Sequence, residues 1–138
     1  MIRGGGSQVI VLGIDPGREK CGLAVVSSDR VLVKRVVPRS EFSVVAKEYV
    51  RQYNVVKLVL GDGTGSKEFL EEMGRTFRDL PIVTIDERFT TEEARRKYWL
   101  DHKAKGLRRL LPTSMQVPPE PYDDYVAVIL AERFLSRG

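Results

Sequence analysis

The sequence predicts an α/β fold: a mixed five-stranded sheet, three antiparallel strands then two parallel ones, with helices on both faces. Three observations lead there. Three short apolar runs open the chain, joined by turns too short to hold a helix. The apolar period then shifts to three- and four-residue steps, and helical segments alternate with further strands. Acidic residues fall at strand ends, where sheets of this kind gather their ligands.

The central stretch is Val9–Val26, VIVLGIDPGREKCGLAVV. An apolar run ends in Asp15, a turn carries Pro16 and Gly17, and a second apolar run starts at Gly22. This is a hairpin with one carboxylate at the head of its first strand. Asp-Pro-Gly is also good turn chemistry by itself, so Asp15 has a structural reading beside the functional one. Val31–Val37 is a third strand, entered through a turn at Ser28–Arg30. Phe42, Val45, Ala46, Tyr49, Val50 and Tyr53 then mark one face of a helix, with Ser40 as its expected N-cap.

Val55–Gly61 reads as a buried strand closed by the glycine-rich Gly61–Ser66. Phe69, Leu70, Met73 and Phe77 mark a second helix, and Pro81–Asp86 a fifth strand. Thr90 and Glu93 have the spacing of a capping box opening a third helix, TTEEARRKYWLDH. Lys103–Arg109 is basic and Pro112–Pro121 proline-rich, a span predicted to lack a fixed fold. Ala127, Leu130, Ala131 and Phe134 give a fourth, amphipathic helix, entered through Pro121-Tyr122-Asp123-Asp124. Residues 1–8 read as a flexible lead-in and residues 9–138 as one domain, long enough to bury a core.

Composition narrows the class. With 42% hydrophobic and 30% charged residues, the chain has the make-up of an ordinary soluble protein. Cys21 is the single cysteine, which excludes an internal disulfide and a cysteine metal site and fits a reducing cytoplasm. No apolar run has membrane-spanning or signal-peptide length, so no membrane partner is expected. The net charge of +4 is compatible with a polyanionic partner without demanding one.

The acids carry the chemistry. Asp15 ends the first strand, Asp62 follows the fourth, Asp86-Glu87 ends the fifth, and Asp123-Asp124 opens the last helix. If strands one, four and five are neighbours, the first three of these sites lie along one sheet edge, and the last helix can bring a fourth. Gathered carboxylates repel unless a cation sits among them, and an all-oxygen set suits Mg²⁺ or Mn²⁺. Such ions can activate water against a phosphodiester. Each acid also has a plainer role: Asp62 can serve its Gly-Asp-Gly turn, Glu87 can pair with Arg88, and Asp123 or Asp124 can cap the helix.

Three blocks resemble the YqgF/RuvX family of Holliday junction resolvases, members of the RNase H-like superfamily. The first is Gly13-Ile14-Asp15-Pro16-Gly17 with Gly22-Leu23-Ala24-Val25. The second and most specific is Asp86-Glu87-Arg88-Phe89-Thr90-Thr91 with Glu93-Ala94, close to the family's DER-x-T-T-x-E-A pattern. The third runs from Asp123 to Leu130. The resemblance implies an RNase H-like fold and a nuclease using Mg²⁺ or Mn²⁺, with Asp15, Glu87 and Asp123 at the family's acidic positions. The implied substrate is branched DNA or the precursor of 16S ribosomal RNA, and a homodimer would suit a symmetric junction. Gly61-Asp62-Gly63 stands where the family has Gly-Leu-Pro, so Asp62 is a further candidate to share or replace the role of Glu87. Spacing favours Asp123 over Asp124 as the last acid and leaves both as metal candidates.

Arg18 and Lys20 in the hairpin turn, Arg88, Arg95 on the third helix, and Lys103 and Arg108 beyond it are the candidate phosphate contacts. Arg95 has a solvated helix face as its alternative. Tyr98, Trp99 and Tyr122 can stack on unpaired bases, with core packing the alternative above all for Trp99. His102 is expected at a helix end, and Cys21 buried and inert. A second class of function stays open, a catalytically weak nucleic-acid- or ribosome-binding module on the same fold. A nucleotide phosphatase using Gly61–Ser66 as a phosphate cradle is a third, although the loop lacks the Gly-Lys-Ser/Thr ending of a P-loop.

Overall fold

Alternating apolar residues in the strands face two different helical layers, and that alternation organises the molecule. The computed structural model describes residues 9–63, 65–102 and 116–137. The strands are β1 (Ile10–Asp15), β2 (Lys20–Ser27), β3 (Val31–Pro38), β4 (Lys57–Gly61) and β5 (Ile82–Ile85). The helices are α1 (Phe42–Tyr53), α2 (Ser66–Thr76), α3 (Thr90–Asp101) and α4 (Asp123–Ser136). The sheet order is β3-β2-β1-β4-β5. β1 pairs antiparallel with β2, β2 antiparallel with β3, and β4 parallel with both β1 and β5. The predicted mixed sheet is therefore present, and β1, β4 and β5 are consecutive neighbours.

Because successive side chains of a strand point to opposite faces, β1 splits its residues. Leu12 and Ile14 join Leu23, Val25, Leu58 and Leu60 under Phe42, Ala46, Phe69 and Met73 of α1 and α2. Val11 joins Ala24, Val26 and Val59 under α3 and α4. Each fully buried Leu, Ile or Phe contributes about 2 kcal/mol of hydrophobic stabilisation before entropy is counted. Asn54 closes α1 in the left-handed region at φ 54°, a conformation that asparagine tolerates.

Four local expectations are corrected. Ser40 does not cap α1; it lies inside a 3₁₀ turn, Arg39–Glu41, and the cap position is Glu41. Thr90 and Glu93 form no capping box. The Thr90 hydroxyl donates to the Glu87 carbonyl at 2.7 Å, and the Glu93 carboxylate accepts from Arg133 of α4 at 2.6 Å. A long-range ion pair takes the side chain that a local cap would need. β5 stops at Ile85, so Glu87 stands in the following turn rather than on the strand. Finally, α4 is not amphipathic through its middle. Every residue from Tyr125 to Ala131 is buried, because the helix packs against β1, β2 and β3 on one side and α3 on the other.

The Met1–Gln8 lead-in, the basic Lys103–Arg109 run and the first part of the proline-rich stretch lie outside the described residues. Among the described residues, no helix is long and apolar enough to cross a membrane.

Candidate active site

The same alternation that puts Val11 on the α4 face puts Gly13 and Asp15 there too. Asp15 pairs with Gly22 across the β1–β2 hairpin. Both glycines are required by close approach. A Cβ on Gly22 would stand 1.9 Å from the Asp123 carbonyl oxygen, and one on Gly13 would stand 2.2 Å from that of Ala127. The first turns of α4 thus rest on bare backbone of the hairpin, and Asp123 is set beside Asp15. Asp15, Asp123, Arg18 and Lys20 line a shallow opening at the hairpin turn.

Glu87 arrives from the other side. A Cβ on Gly61 would stand 2.1 Å from Glu87 Oε1, and one on Gly63 1.8 Å from Oε2, so the carboxylate lies across the backbone of Gly61-Asp62-Gly63. The Glu87 amide in turn donates to Asp62 Oδ1 at 3.1 Å. The glycine loop after β4 therefore cradles an acid, which explains its composition without any phosphate.

Asp15 feels both of the other acids. Burial pushes the Asp15 carboxyl up to about 8, with Asp123 and then Glu87 adding repulsion. Burial also raises Asp123, partly offset by Lys20, while Asp124 raises it further. Burial raises Glu87, with Asp62 and Asp86 adding to the shift and a hydrogen bond with the Gly63 backbone opposing it. Among the described residues, no donor hydrogen-bonds to the Asp15 carboxylate, and no three acidic, histidine or cysteine side chains stand as a ready set around an ion.

The remaining candidates separate. Asp124 turns away to β3, where its Oδ2 lies 3.3 Å from Lys34 Nζ. Arg18 and Lys20 are exposed at the opening. Arg88 is exposed, and its Nε donates to Asp86 at 2.7 Å. Arg95 donates to the Tyr122 hydroxyl at 3.1 Å, away from the hairpin turn in sequence but on the helix that follows Glu87. Lys103 and Arg108 lie outside the described residues.

Tyr98 and Trp99 are core residues: the Tyr98 hydroxyl donates to Glu120 at 2.7 Å and the indole of Trp99 to the Gln116 carbonyl at 2.9 Å. His102 ends α3, stacked on Tyr98. Cys21 is buried, and its thiol is pushed up to about 11, chiefly by burial.

The lack of a Cβ at Gly13, beside Asp15, was legible in the sequence as a point of close backbone approach, whereas Gly22, Gly61 and Gly63 were missed as site builders and Phe89 was overlooked. Pleat parity was the available signal for Gly22, which shares the α4 face with Asp15. For Phe89 it was an aromatic in the turn directly after Glu87-Arg88.

Comparison with known proteins gives the chain a family and its fold a set of neighbours. The family model described as "RuvX: Holliday junction resolvase" matches residues 9–137. A protein of Dictyoglomus turgidum named "Putative pre-16S rRNA nuclease" is 33% identical over 141 residues, covering 91% of this chain and 93% of its own. A protein of the same name from a Roseiflexus species is 31% identical over 115 residues, covering 72% and 80%. Among solved structures, Thermus thermophilus RuvC superposes with a TM-score of 0.59 at 18% identity, over 94% of this chain and 96% of its own. The Fowlpox virus resolvase, solved with Holliday junction DNA, gives 0.61 at 10% identity over 94% and 98%. These likenesses show the RNase H-like fold. With the family model spanning nearly the whole length, the chain belongs to the RuvX family of Holliday junction resolvases.

Proposed function

We propose that this chain is an endonuclease that hydrolyses phosphodiester bonds in structured nucleic acid with the help of Mg²⁺ or Mn²⁺. The observation that carries the reading is the seating of the Asp123 backbone on Gly22, with the half-buried Asp15 and Asp123 lining the same opening. Family membership supports nuclease chemistry, and the relatives' names and the resolvase complexes point to nucleic acid as partner.

Asp15, Glu87 and Asp123 are the residues assigned to hold the ion. Their donor atoms are all carboxylate oxygen, and among the described residues no donor bonds the Asp15 carboxylate, which fits a hard divalent cation. Such an ion, when bound, supplies an activated water and neutralises charge developing on the phosphate oxygens. Burial and the neighbouring acids let the Asp15 carboxyl keep a proton toward neutral pH, and it would have to be ionised to hold a cation. Arg18 and Lys20, which line the opening, hold phosphates there, and Lys20 also steadies the ionised form of Asp123. Asp62 supports Glu87 by accepting its amide. Asp124 anchors the first turn of α4 through Lys34.

Branched DNA and precursor 16S ribosomal RNA are both substrates consistent with this site. One observation favours the second reading, a nucleic-acid- or ribosome-binding module of weak activity: among the described residues, no three ligands stand preassembled. A cleavage panel separates the two, with a four-way DNA junction, duplex DNA and ribosomal precursor RNA incubated with Mn²⁺ and with EDTA. Ion-dependent cutting of a structured substrate is the expected result. No cutting, together with no effect of either ion on melting, establishes the binding module instead. We further place the protein in the cytoplasm, on its reduced lone Cys21, and propose a homodimer on four-way junctions, testable by sedimentation with and without junction DNA.

A further inference from the structure

The aromatic residues suited to stacking by sequence position are mostly spent on the core, and the free one is elsewhere. Tyr98 and Trp99 are buried, and the Tyr122 hydroxyl is engaged by Arg95. Phe89 is 70% exposed, two residues beyond Glu87. It sits at φ 65° and ψ 8°, left-handed backbone that glycine adopts freely and a residue with a Cβ does not. The turn holding it is fixed on both sides: the Thr90 amide and hydroxyl both bond the Glu87 carbonyl, and the Glu87 amide bonds Asp62. Glycine is the residue that would relieve this turn, and the exposed ring adds little to the core. What phenylalanine adds at this position is an exposed apolar ring on a pinned turn, two residues from an acid of the site.

We propose that Phe89 is a specificity-determining residue that stacks on an unpaired base flanking the phosphate held at the site. The proposal rests on the nuclease reading and narrows its substrate class. In continuous duplex both faces of each base are already covered by neighbours, whereas a branch point or single strand offers a free face. The preferred substrate is then one with an unstacked nucleotide next to the cut, and Arg88 stands one residue away on the same exposed turn.

The test measures binding in EDTA, so that it does not depend on cleavage. Phe89→Gly and Phe89→Ala should bind a single-stranded oligonucleotide about fivefold or more weakly than wild type, with duplex affinity unchanged. Phe89→Gly should melt at the same or a higher temperature, because glycine relieves the left-handed backbone, so the loss cannot be laid to unfolding. In Phe89→Trp the new indole is exposed while Trp99 is buried. Its fluorescence should be quenched by the oligonucleotide, and not by one abasic at the stacked position. Equal binding by Phe89→Ala, an unquenched indole, or no single-strand binding by wild type overturns the proposal. Failure of wild type to cut any substrate with Mn²⁺ instead overturns the nuclease reading and leaves the stacking result to stand by itself.

Discussion

The Asp123 backbone lies against the bare Cα of Gly22, the strand residue that pairs with Asp15. One glycine thus sets how closely two acids from the two ends of the chain approach. Gly22→Ala pushes its new methyl into backbone, which cannot swing aside, and should destabilise the fold by about 1–3 kcal/mol. Gly61→Ala meets only the far end of the Glu87 side chain, so the chain should fold while the carboxylate is displaced. Denaturant melts and cleavage rates on the pair should show that contrast: stability lost in Gly22→Ala, activity lost with little stability change in Gly61→Ala.

Asp15 should weaken the metal-free fold as pH rises. Folded Asp15 holds its proton to about 8, whereas the unfolded chain releases it near 3.8, so the native state binds more protons between those values. Stability therefore falls with rising pH through that window. Asp15→Asn removes the ionisable group and its burial cost. Melting in EDTA across the window should show a flatter profile for Asp15→Asn and a higher melting temperature than wild type near its upper end.

Adjacent acids at the head of α4 should behave differently. Asp123→Asn should lower cleavage about 100-fold or more, the upper end of what outer partners of a metal cost and the least expected of a ligand. Asp124→Asn loses the Lys34 ion pair, worth about 1 kcal/mol of stability, and should keep cleavage within about tenfold. Parallel rate and stability measurements on both variants check this assignment.

A third pair isolates Asp62. Asp62→Asn retains a side-chain oxygen to accept the Glu87 amide and should keep most activity, while Asp62→Ala frees the turn at a cost of about 1 kcal/mol and loses activity. Loss of activity in Asp62→Asn as well would assign the carboxylate charge a direct part in holding the ion.

Much of this was legible in the chain. Strand runs such as Val31–Val37 and the acids at their ends declare themselves through period and position. Other features depend on partners far away in sequence. Asp124 finds its ion-pair partner in Lys34, 90 residues away. Glu93 leaves its local cap for Arg133, 40 residues on. The burial of α4 on all sides follows from a sandwich that no single segment encodes. Gly61 and Gly63 look like a phosphate loop until Glu87 is seen lying on them.

Asp15, Glu87 and Asp123 are proposed to share a hard divalent cation. Calorimetric titration of Mn²⁺ into wild type, Asp15→Asn and Asp123→Asn tests it most directly. Wild type should bind measurably, with proton release near neutral pH, and both variants should lose binding while each stays folded. Binding of equal strength in wild type and Asp15→Asn would contradict it.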